Sequence, residues 1–214
     1  KRPILDFDDA IWIPSTSENN SLAYLLKCNW KIKYLCKWSY KVSVGNQYLY
    51  NYAAQYSNRV VLIPTCVDTN IRYNRLKEHR NINVVIGWTG SHSTLPYLDL
   101  IFPILEKLEL QYQFEFLVIC NQPPEFKLKS LKFMPWKGDT EITDLLNIDI
   151  GVMPLVEDEW SEGKCGFKII QYLSLGIPAV ASPVGVNKVI IEDGKSGFLC
   201  NNDKDWYKAL TLLI

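Results

Sequence analysis

The chain has 214 residues, no net formal charge and 48% hydrophobic residues, which suits one to two globular domains with a packed core. Residues 1–80 hold twelve Lys or Arg against six Asp or Glu, and the remainder holds eleven against seventeen, which indicates two modules. No continuous Lys/Arg-dense stripe runs along the sequence, so an extended nucleic-acid-binding surface is excluded.

The sequence carries no signature of a metal site or of a membrane-spanning segment. Its six cysteines are scattered without a C-x-x-C pair, only two histidines are present, and no apolar run approaches the ~20 residues that span a bilayer. No signal peptide is visible. We therefore expect no bound metal and free thiols in a reducing cytoplasm.

The first predicted strand, residues 3–9, is expected to be buried and ends in two carboxylates. It is apolar at its start and closes with Asp8 and Asp9. Because ligands of open α/β sheets bind at the carboxyl ends of strands, Asp8 and Asp9 are candidate site residues. The alternative is that they only cap the loop that follows.

A basic, aromatic helix is predicted from Ser21 to Trp38, with cap residues between Ser17 and Asn20. Its aromatic residues Trp30, Tyr34 and Trp38 recur every four residues, and they are interleaved with Lys27, Lys31, Lys33 and Lys37. Such a helix can lie on an anionic membrane surface. The alternative, which is the commoner case, is that the stripe belongs to the core and the lysines extend to solvent.

From residue 83 onward, short apolar strands alternate with helices. Strands are predicted at 84–87, 114–120, 131–135, 149–155, 179–181 and 197–200, after earlier ones at 41–44 and 59–63. Helices are predicted at 46–55, from Ser93 or Thr94 to Leu110, from an Asp139 cap through Leu146, at 187–192 and from Asp203. This alternation predicts a doubly wound parallel sheet.

Two segments of this second module have phosphate-binding character. After the strand at 84–87, a turn is predicted over residues 88–91, which include Gly90 and Ser91, and it leads into a helix. This arrangement can cradle a phosphate but is weak evidence with one glycine. The other segment reads EGKCGFKIIQYLSLGIPAVASPVG, from Glu162 to Gly185. It predicts a helix of about twelve residues that is stopped by a Gly-Ile-Pro sequence.

Two lysines occur at the predicted start of that helix, where the helix dipole disfavours cations by ~0.3–1 kcal/mol each unless an anion binds there. Lys164, Lys168 and Gln171 are spaced i, i+4 and i+7, so they are predicted to share one helix face. We interpret this face as a phosphate site. The alternative is that both lysines only balance the negative charge of the acidic run between Glu157 and Glu162 at the protein surface.

The same segment resembles the donor-binding segment of the retaining glycosyltransferases of family 4, which have the GT-B fold. That family has Glu, seven residues and Glu before a helix that closes in Gly-x-Pro-Val-Val. Here the two Glu positions are Gly163 and Gln171, and the segment is similar to a bacterial branch that reads Gly-Lys-Cys-x-x-Lys. The Asp-Phe-Asp-Asp at 6–9 and the Pro-Thr-Cys-Val-Asp hinge at 64–68 also resemble that family.

The resemblance implies a domain plan. Residues 1–68 would be part of an acceptor-side Rossmann-like domain, 69–82 a linker, and 83–214 a nucleotide-sugar-binding domain. It further implies that the chain is a piece of a longer protein, with leading strands and a closing helix outside it. We expect such a piece to bind a nucleotide sugar without transferring the sugar efficiently.

The resemblance also implies a function: transfer of a sugar, with retention and without a metal, from a nucleotide diphosphate sugar to a hydroxyl acceptor. The acceptor would be a polysaccharide, a lipopolysaccharide or a lipid-linked glycan, at the cytoplasmic face of the cell membrane. One alternative is a nucleotide-sugar-binding module without transferase activity. The other, an oxidoreductase-type Rossmann domain, is disfavoured because no G-x-G-x-x-G follows a strand.

The residues expected to carry this chemistry follow from the same resemblance. Lys164 and Lys168, with Glu162, Asp8 and Asp9, form the expected catalytic set. The expected donor-binding set is Gly90, Ser91, Trp136, Gly163, Cys165, Gly166, Phe167 and Gln171. Trp136 would bind the nucleotide base, although an ordinary buried tryptophan is the alternative. Gln171 would contact the ribose and Glu162 a sugar hydroxyl.

Overall fold

The structure is a computed structural model that describes residues 2–14, 28–78 and 83–214. Its contacts divide the chain into two compact units. The first comprises Lys1–Thr65, Glu157–Gly166 and Val184–Val186, and the second comprises Cys66–Val156, Phe167–Pro183 and Asn187–Ile214. Residues 66–78 thus belong to the second unit, where Tyr73 is buried. The domain plan read from the sequence stays a prediction.

The first unit contains a three-stranded parallel sheet in the order β1-β2-β3. Its strands are β1 (Ile4–Phe7), β2 (Lys41–Val44) and β3 (Val60–Leu62), and its helices are α1 (Lys31–Trp38), α2 (Gln47–Ala53) and α5 (Glu159–Glu162). The buried side chains Phe7, Val42, Val44 and Leu49 form its core. The prediction that β1 is a buried strand is wrong, because β1 is an edge strand of this sheet and only Phe7 is buried in it.

The basic aromatic helix differs from its prediction in two ways. Within residues 28–38 it begins only at Lys31, and the predicted part from 21 to 27 lies outside the described residues, as do the cap residues 17–20. Trp30, Tyr34 and Trp38 are 61%, 38% and 70% exposed. The interpretation that these three aromatic residues belong to a core is therefore wrong.

The second unit contains a six-stranded parallel sheet in the order β6-β5-β4-β7-β8-β9. The strands are β4 (Val84–Gly90), β5 (Phe114–Cys120), β6 (Leu131–Pro135), β7 (Ile150–Met153), β8 (Ala179–Ala181) and β9 (Gly197–Leu199). Central strands β5, β7 and β8 are buried almost throughout, as expected for parallel strands covered on both faces. The direction of winding reverses between β4 and β7, which makes the sheet doubly wound, as predicted.

The helices of the second unit are a 3₁₀ helix (His92–Leu100), α3 (Phe102–Glu109), α4 (Glu141–Leu145), α6 (Phe167–Ser174), α7 (Asn187–Ile190) and α8 (Asp203–Leu213). The single helix predicted up to Leu110 is wrong. It is split at Ile101, and Pro96 within the 3₁₀ helix lacks the N–H that a continuous α-helix would use there. The residue before α4 is Thr140 rather than Asp139, and its side chain makes no capping hydrogen bond.

The helix predicted over about twelve residues in the 162–185 segment has eight, because Gly166 adopts a left-handed backbone (φ +69°) just before Phe167. Its stop is confirmed: Gly176 has φ +74° after the helix, and the Ile177 N–H donates to the Tyr172 carbonyl. Tyr172 anchors the helix to the sheet. Its ring is fully buried against Gly151 of β7, and its hydroxyl accepts the Thr89 N–H at 3.2 Å.

Candidate functional site

A cavity of about 380 Å³ opens in the second unit where β4, β5 and β6 end. Gly90 closes β4, Asn121 follows β5 and Trp136 follows β6. The cavity is lined by Thr89, Gly90, Ser91, Asn121, Trp136, Glu141, Phe167, Lys168 and Gln171. Carboxyl ends of strands beside the reversal of winding are where open α/β sheets bind ligands, so we place the candidate site here.

A larger hollow of about 560 Å³ lies at the opposite, amino-terminal side of this sheet. Its walls include Val85, near the start of β4, and Asp149, just before β7. Lys77 crosses this side, where its ammonium pairs with Asp149 at 3.0 Å and donates to the Leu146 carbonyl at 2.9 Å. These contacts attach the segment around Lys77 to the sheet. The hollow lies at the amino ends of the strands, a position that disfavours a ligand site.

One end of the cavity is suited to an anion. Its walls are the Gly90–Ser91 turn and Lys168, the second residue of α6, whose Nζ lies 5.6 Å from the centroid of the buried Trp88 ring. The turn is fixed because the His92 N–H donates to Asn121 Oδ1 at 2.8 Å. A Cβ on Gly90 would lie 2.5 Å from the Trp88 ring, so only glycine fits without rearrangement. The strand β4 continues to Gly90, so the predicted turn over 88–91 is shorter than expected.

The other end of the cavity is aromatic and is organised by a carboxylate. Trp136 is 46% exposed, so the alternative of an ordinary buried tryptophan is wrong. Its Nε1–H donates to Glu141 Oε1 at 3.3 Å, and Gln171 Nε2–H donates to the same oxygen at 3.3 Å. The other oxygen, Oε2, pairs with Arg72 at 2.5 Å.

Gln171 is almost completely buried, at 2% exposure. Its Nε2 group donates to the hydroxyl of Tyr73 at 2.7 Å as well as to Glu141. Burial raises the pKa of Tyr73, so its hydroxyl stays protonated. Both donor hydrogens of the Gln171 amide are therefore used inside the second unit.

The shared helix face predicted for Lys164, Lys168 and Gln171 is wrong. The helix begins at Phe167, so Lys164 precedes it, while Lys168 and Gln171 lie within it and line the cavity. The physical reason is the left-handed Gly166, which breaks the helical path between the two lysines. Lys164 belongs to the first unit and Lys168 to the second.

Within the first unit, Lys164 forms an ion pair with Asp9. Its Nζ lies 2.9 Å from Asp9 Oδ1, and it also lies 5.0 Å from the centroid of the Trp160 ring. The partner therefore comes from the end of β1, more than 150 residues upstream. Two sequence-predicted residues, Asp9 and Lys164, are thus brought together, and Asp8 lies exposed beside them.

Three other predicted residues of the first unit have structural contacts there. The Cys165 thiol is buried and donates to the Asp8 carbonyl at 3.1 Å, and burial raises its pKa to about 11. Gly163 is pressed against Ala10, since a Cβ there would lie 2.8 Å from the Ala10 nitrogen. Glu162 Oε1 accepts the Gly185 N–H at 3.3 Å. The binding and catalytic roles expected for these residues stay predictions.

The sequence reasoning missed three residues that line the cavity: Thr89, Asn121 and Glu141. A signal existed for Asn121, which follows the correctly placed strand at 114–120, and for Thr89, which lies just beyond the apolar strand predicted at 84–87. No such signal existed for Glu141, which begins a five-residue helix and reaches Trp136 and Gln171 only through the folded structure.

Among the described residues, no three His, Cys, Asp or Glu side chains are grouped so as to hold a metal ion. Within the same part of the chain, no helix has both the length and the apolar character required to cross a bilayer.

Solved structures share this fold at low sequence identity. Alr3699/HepE of Anabaena, solved in complex with UDP and glucose, is 15% identical with a TM-score of 0.68 over 99% of this chain and 61% of its own. Sucrose-phosphate synthase of Thermosynechococcus elongatus is 12% identical with a TM-score of 0.68, over 98% of this chain and 58% of its own. TarM is 16% identical with a TM-score of 0.63, over 85% of this chain and 39% of its own.

The chain thus spans 39% to 61% of the length of these proteins. The likeness confirms the predicted α/β fold, GT-B-like with Rossmann-like sheets. No curated protein sequence matches the chain. The family model described as "Glycosyl transferases group 1" matches residues 83–214, more than half of the chain. The chain therefore belongs to the group 1 glycosyl transferase family.

Proposed function

We propose that the second unit binds a nucleotide diphosphate sugar in the cavity at the ends of β4, β5 and β6, as the donor for transfer to a hydroxyl acceptor. The observation that carries the proposal is the order of groups along the cavity. Lys168 and the Gly90–Ser91 turn lie at one end, and the exposed ring of Trp136 lies at the other. Phosphate, ribose and base follow one another in a nucleoside diphosphate in the same order.

The dimensions agree with this assignment. Gly90 ends β4 and Trp136 follows β6, and β5 lies between these two strands. Neighbouring strands are about 4.8 Å apart, so the two ends of the cavity are separated by about 10 Å. Membership of the group 1 family, and the UDP-glucose bound to Anabaena HepE, which is 17% identical to this chain, support a nucleotide sugar as the ligand.

In the proposed reaction the bond between the anomeric carbon and the phosphate oxygen breaks, and the nucleoside diphosphate leaves with the bonding electrons. The acceptor oxygen forms the new glycosidic bond on the same face, and its proton passes to the leaving phosphate. No protein nucleophile is required for this retaining route. Lys168 and the Gly90–Ser91 turn would stabilise the negative charge that grows on the leaving group.

The charged groups of the first unit complete the proposal. The Asp9–Lys164 pair, Asp8 and Glu162 are proposed to act in the transfer step, as the family resemblance implies. Neutralisation of the leaving group by protein cations would make the reaction independent of added metal, which an assay with a chelator tests. Binding without efficient transfer by this 214-residue chain is also part of the proposal.

The surface of α1 supports a place at the cytoplasmic face of a membrane, with a polysaccharide, lipopolysaccharide or lipid-linked acceptor. Trp30, Tyr34 and Trp38 contact one another edge to face or tilted and remain exposed. Residues 28–38 contain three lysines and no acidic residue, so this aromatic ridge is positively charged. A ridge of this chemistry complements an anionic lipid surface.

The test of donor binding is calorimetry of the chain with a panel of nucleotide sugars, with separate measurement of released nucleotide and of the anomeric configuration of any product. We expect one nucleotide sugar to bind, and retention in any glycoside formed. Binding of a nucleotide sugar with no detectable glycoside product would favour the alternative, a nucleotide-sugar-binding module. Failure of every nucleotide sugar to bind would refute the proposal.

The test of membrane contact is co-sedimentation with vesicles that contain anionic lipid. Binding should fall as salt is raised, and should be lost in a Trp30→Ser, Trp38→Ser variant. A matched control is Leu212→Ser, which removes an apolar side chain that is 68% exposed in the second unit. Equal binding to neutral vesicles, or no effect of the two tryptophans, would contradict the proposed surface.

A further inference from the structure

The cavity contains a carboxylate that the sequence did not reveal. Glu141 is acidic, and it lines a cavity proposed to bind an anionic ligand. A carboxylate only accepts hydrogen bonds, so it repels phosphate and attracts hydroxyl groups. It must therefore face the uncharged part of a nucleoside diphosphate.

The position of Glu141 agrees with this reasoning. It is hydrogen-bonded to Trp136, which follows β6, and the phosphate-suited turn lies two strands away at the end of β4. The part of a nucleoside diphosphate that lies next to the base and carries hydroxyl groups is the ribose. We propose that Glu141 is the residue that binds the ribose hydroxyls, an inference that rests on the proposed donor-binding function.

The contacts of Glu141 hold it in place and leave room for this role. Oε2 is fixed by Arg72 at 2.5 Å. Oε1 receives two neutral donors, from Trp136 and Gln171, both at 3.3 Å, which is longer than the usual 2.9–3.0 Å. A ribose hydroxyl at normal distance makes a stronger bond to the carboxylate than either of these contacts.

Gln171 then has a different role from the one its sequence position suggested. Its buried amide donates to Tyr73 and to Glu141, so it acts as a positioning residue for the carboxylate. The acidic contact to ribose is thus supplied by α4 instead of α6.

The test compares ribonucleoside diphosphates of the four common bases with their 2′-deoxy and 3′-deoxy counterparts, by calorimetry on the whole chain. We expect the unchanged protein to prefer at least one ribonucleoside diphosphate over a deoxy counterpart by about tenfold, the difference expected for a hydrogen bond to a charged group. In Glu141→Gln this preference should largely disappear, because ribonucleotide affinity falls while deoxynucleotide affinity changes little.

Glu115→Gln is the matched control, since Glu115 is a β5 carboxylate paired with Lys132 and does not line the cavity. Glu141→Asp, which retains the charge but shortens the side chain, provides a second variant that should also lose preference for ribose. Equal affinity of the unchanged protein for ribo- and deoxynucleotides, or an equal loss of both in Glu141→Gln, would overturn the inference alone. Failure of all nucleoside diphosphates to bind would overturn the donor-binding proposal as well.

Discussion

The substitution that tests the cavity most directly is Lys168→Ala. Lys168 is half-buried at the start of α6, and its ammonium lies against the Trp88 ring at the end of the cavity suited to an anion. A hydrogen bond between charged groups contributes ~1.5–3 kcal/mol. Because the side chain is partly exposed, solvent screening favours the lower end of this range, and we expect about tenfold weaker binding of a nucleoside diphosphate.

The assay is calorimetry at two salt concentrations. Affinity of the unchanged protein should fall as salt rises, and that of Lys168→Ala should fall less, because one screened interaction is already absent. Lys168→Arg retains the charge and should recover most of the affinity. Thermal unfolding of each variant shows whether the fold is retained.

Lys132→Ala is the matched control for this experiment. Lys132 is an exposed β6 lysine in the same unit, paired with Glu115 and absent from the cavity wall. Its removal should leave nucleotide affinity unchanged. The assignment of Lys168 to the phosphates would be refuted if Lys168→Ala bound as tightly as the unchanged protein, or if Lys132→Ala lost as much affinity.

Four further predictions rest on individual contacts or on the burial of single residues. Lys164→Ala should slow glycoside formation while leaving nucleoside diphosphate affinity in calorimetry unchanged, because Lys164 pairs with Asp9 and does not line the cavity; an unchanged rate of glycoside formation would limit Lys164 to that ion pair. Gly151→Ala should lower the free energy of unfolding in urea by at least ~1–3 kcal/mol, because the new Cβ would lie 2.3 Å from the Tyr172 ring, whereas Gly138→Ala, with its nearest atom at 3.8 Å, should not. In thiol labelling at pH 8, exposed Cys66 should react and buried Cys36 and Cys165 should not until the protein unfolds. Burial raises the pKa of both buried thiols from 9.0 to about 11. Because the pKa is higher in the folded than in the unfolded protein, their contribution to the free energy of unfolding is fully present below pH 9 and should be lost as the pH rises through 11.

Much of the sheet could be predicted from local sequence. The strands at 114–120, 131–135 and 179–181 were placed to the residue, because each is a short and mostly apolar run. The end of α6 could also be predicted from the sequence, since Gly176 supplies the left-handed residue that ends a helix. Such features depend only on neighbours in the chain.

The start of α6 could not be predicted from local sequence. The spacing of Lys164, Lys168 and Gln171 fits one helix face, yet Gly166 takes a left-handed conformation that the sequence permits without requiring. Likewise, the pattern of α1 is compatible with a core or a surface helix, and the exposure of Trp38 is decided by what packs against the helix.

The sequence by itself determined the fold class, the family resemblance and six of the nine residues that line the cavity. Gly90 and Ser91 lie in a turn after a predicted strand, whereas Trp136, Phe167, Lys168 and Gln171 were predicted from the family resemblance or from their spacing on a helix. Only the tertiary structure decided that Lys164 pairs with Asp9 and that Glu141 joins Arg72, Trp136 and Gln171. These partners are distant in sequence, except for Trp136. Hydrogen bonds and ion pairs act over about 3 Å, so their partners are set by how the chain folds back on itself, and no spacing along the chain specifies that.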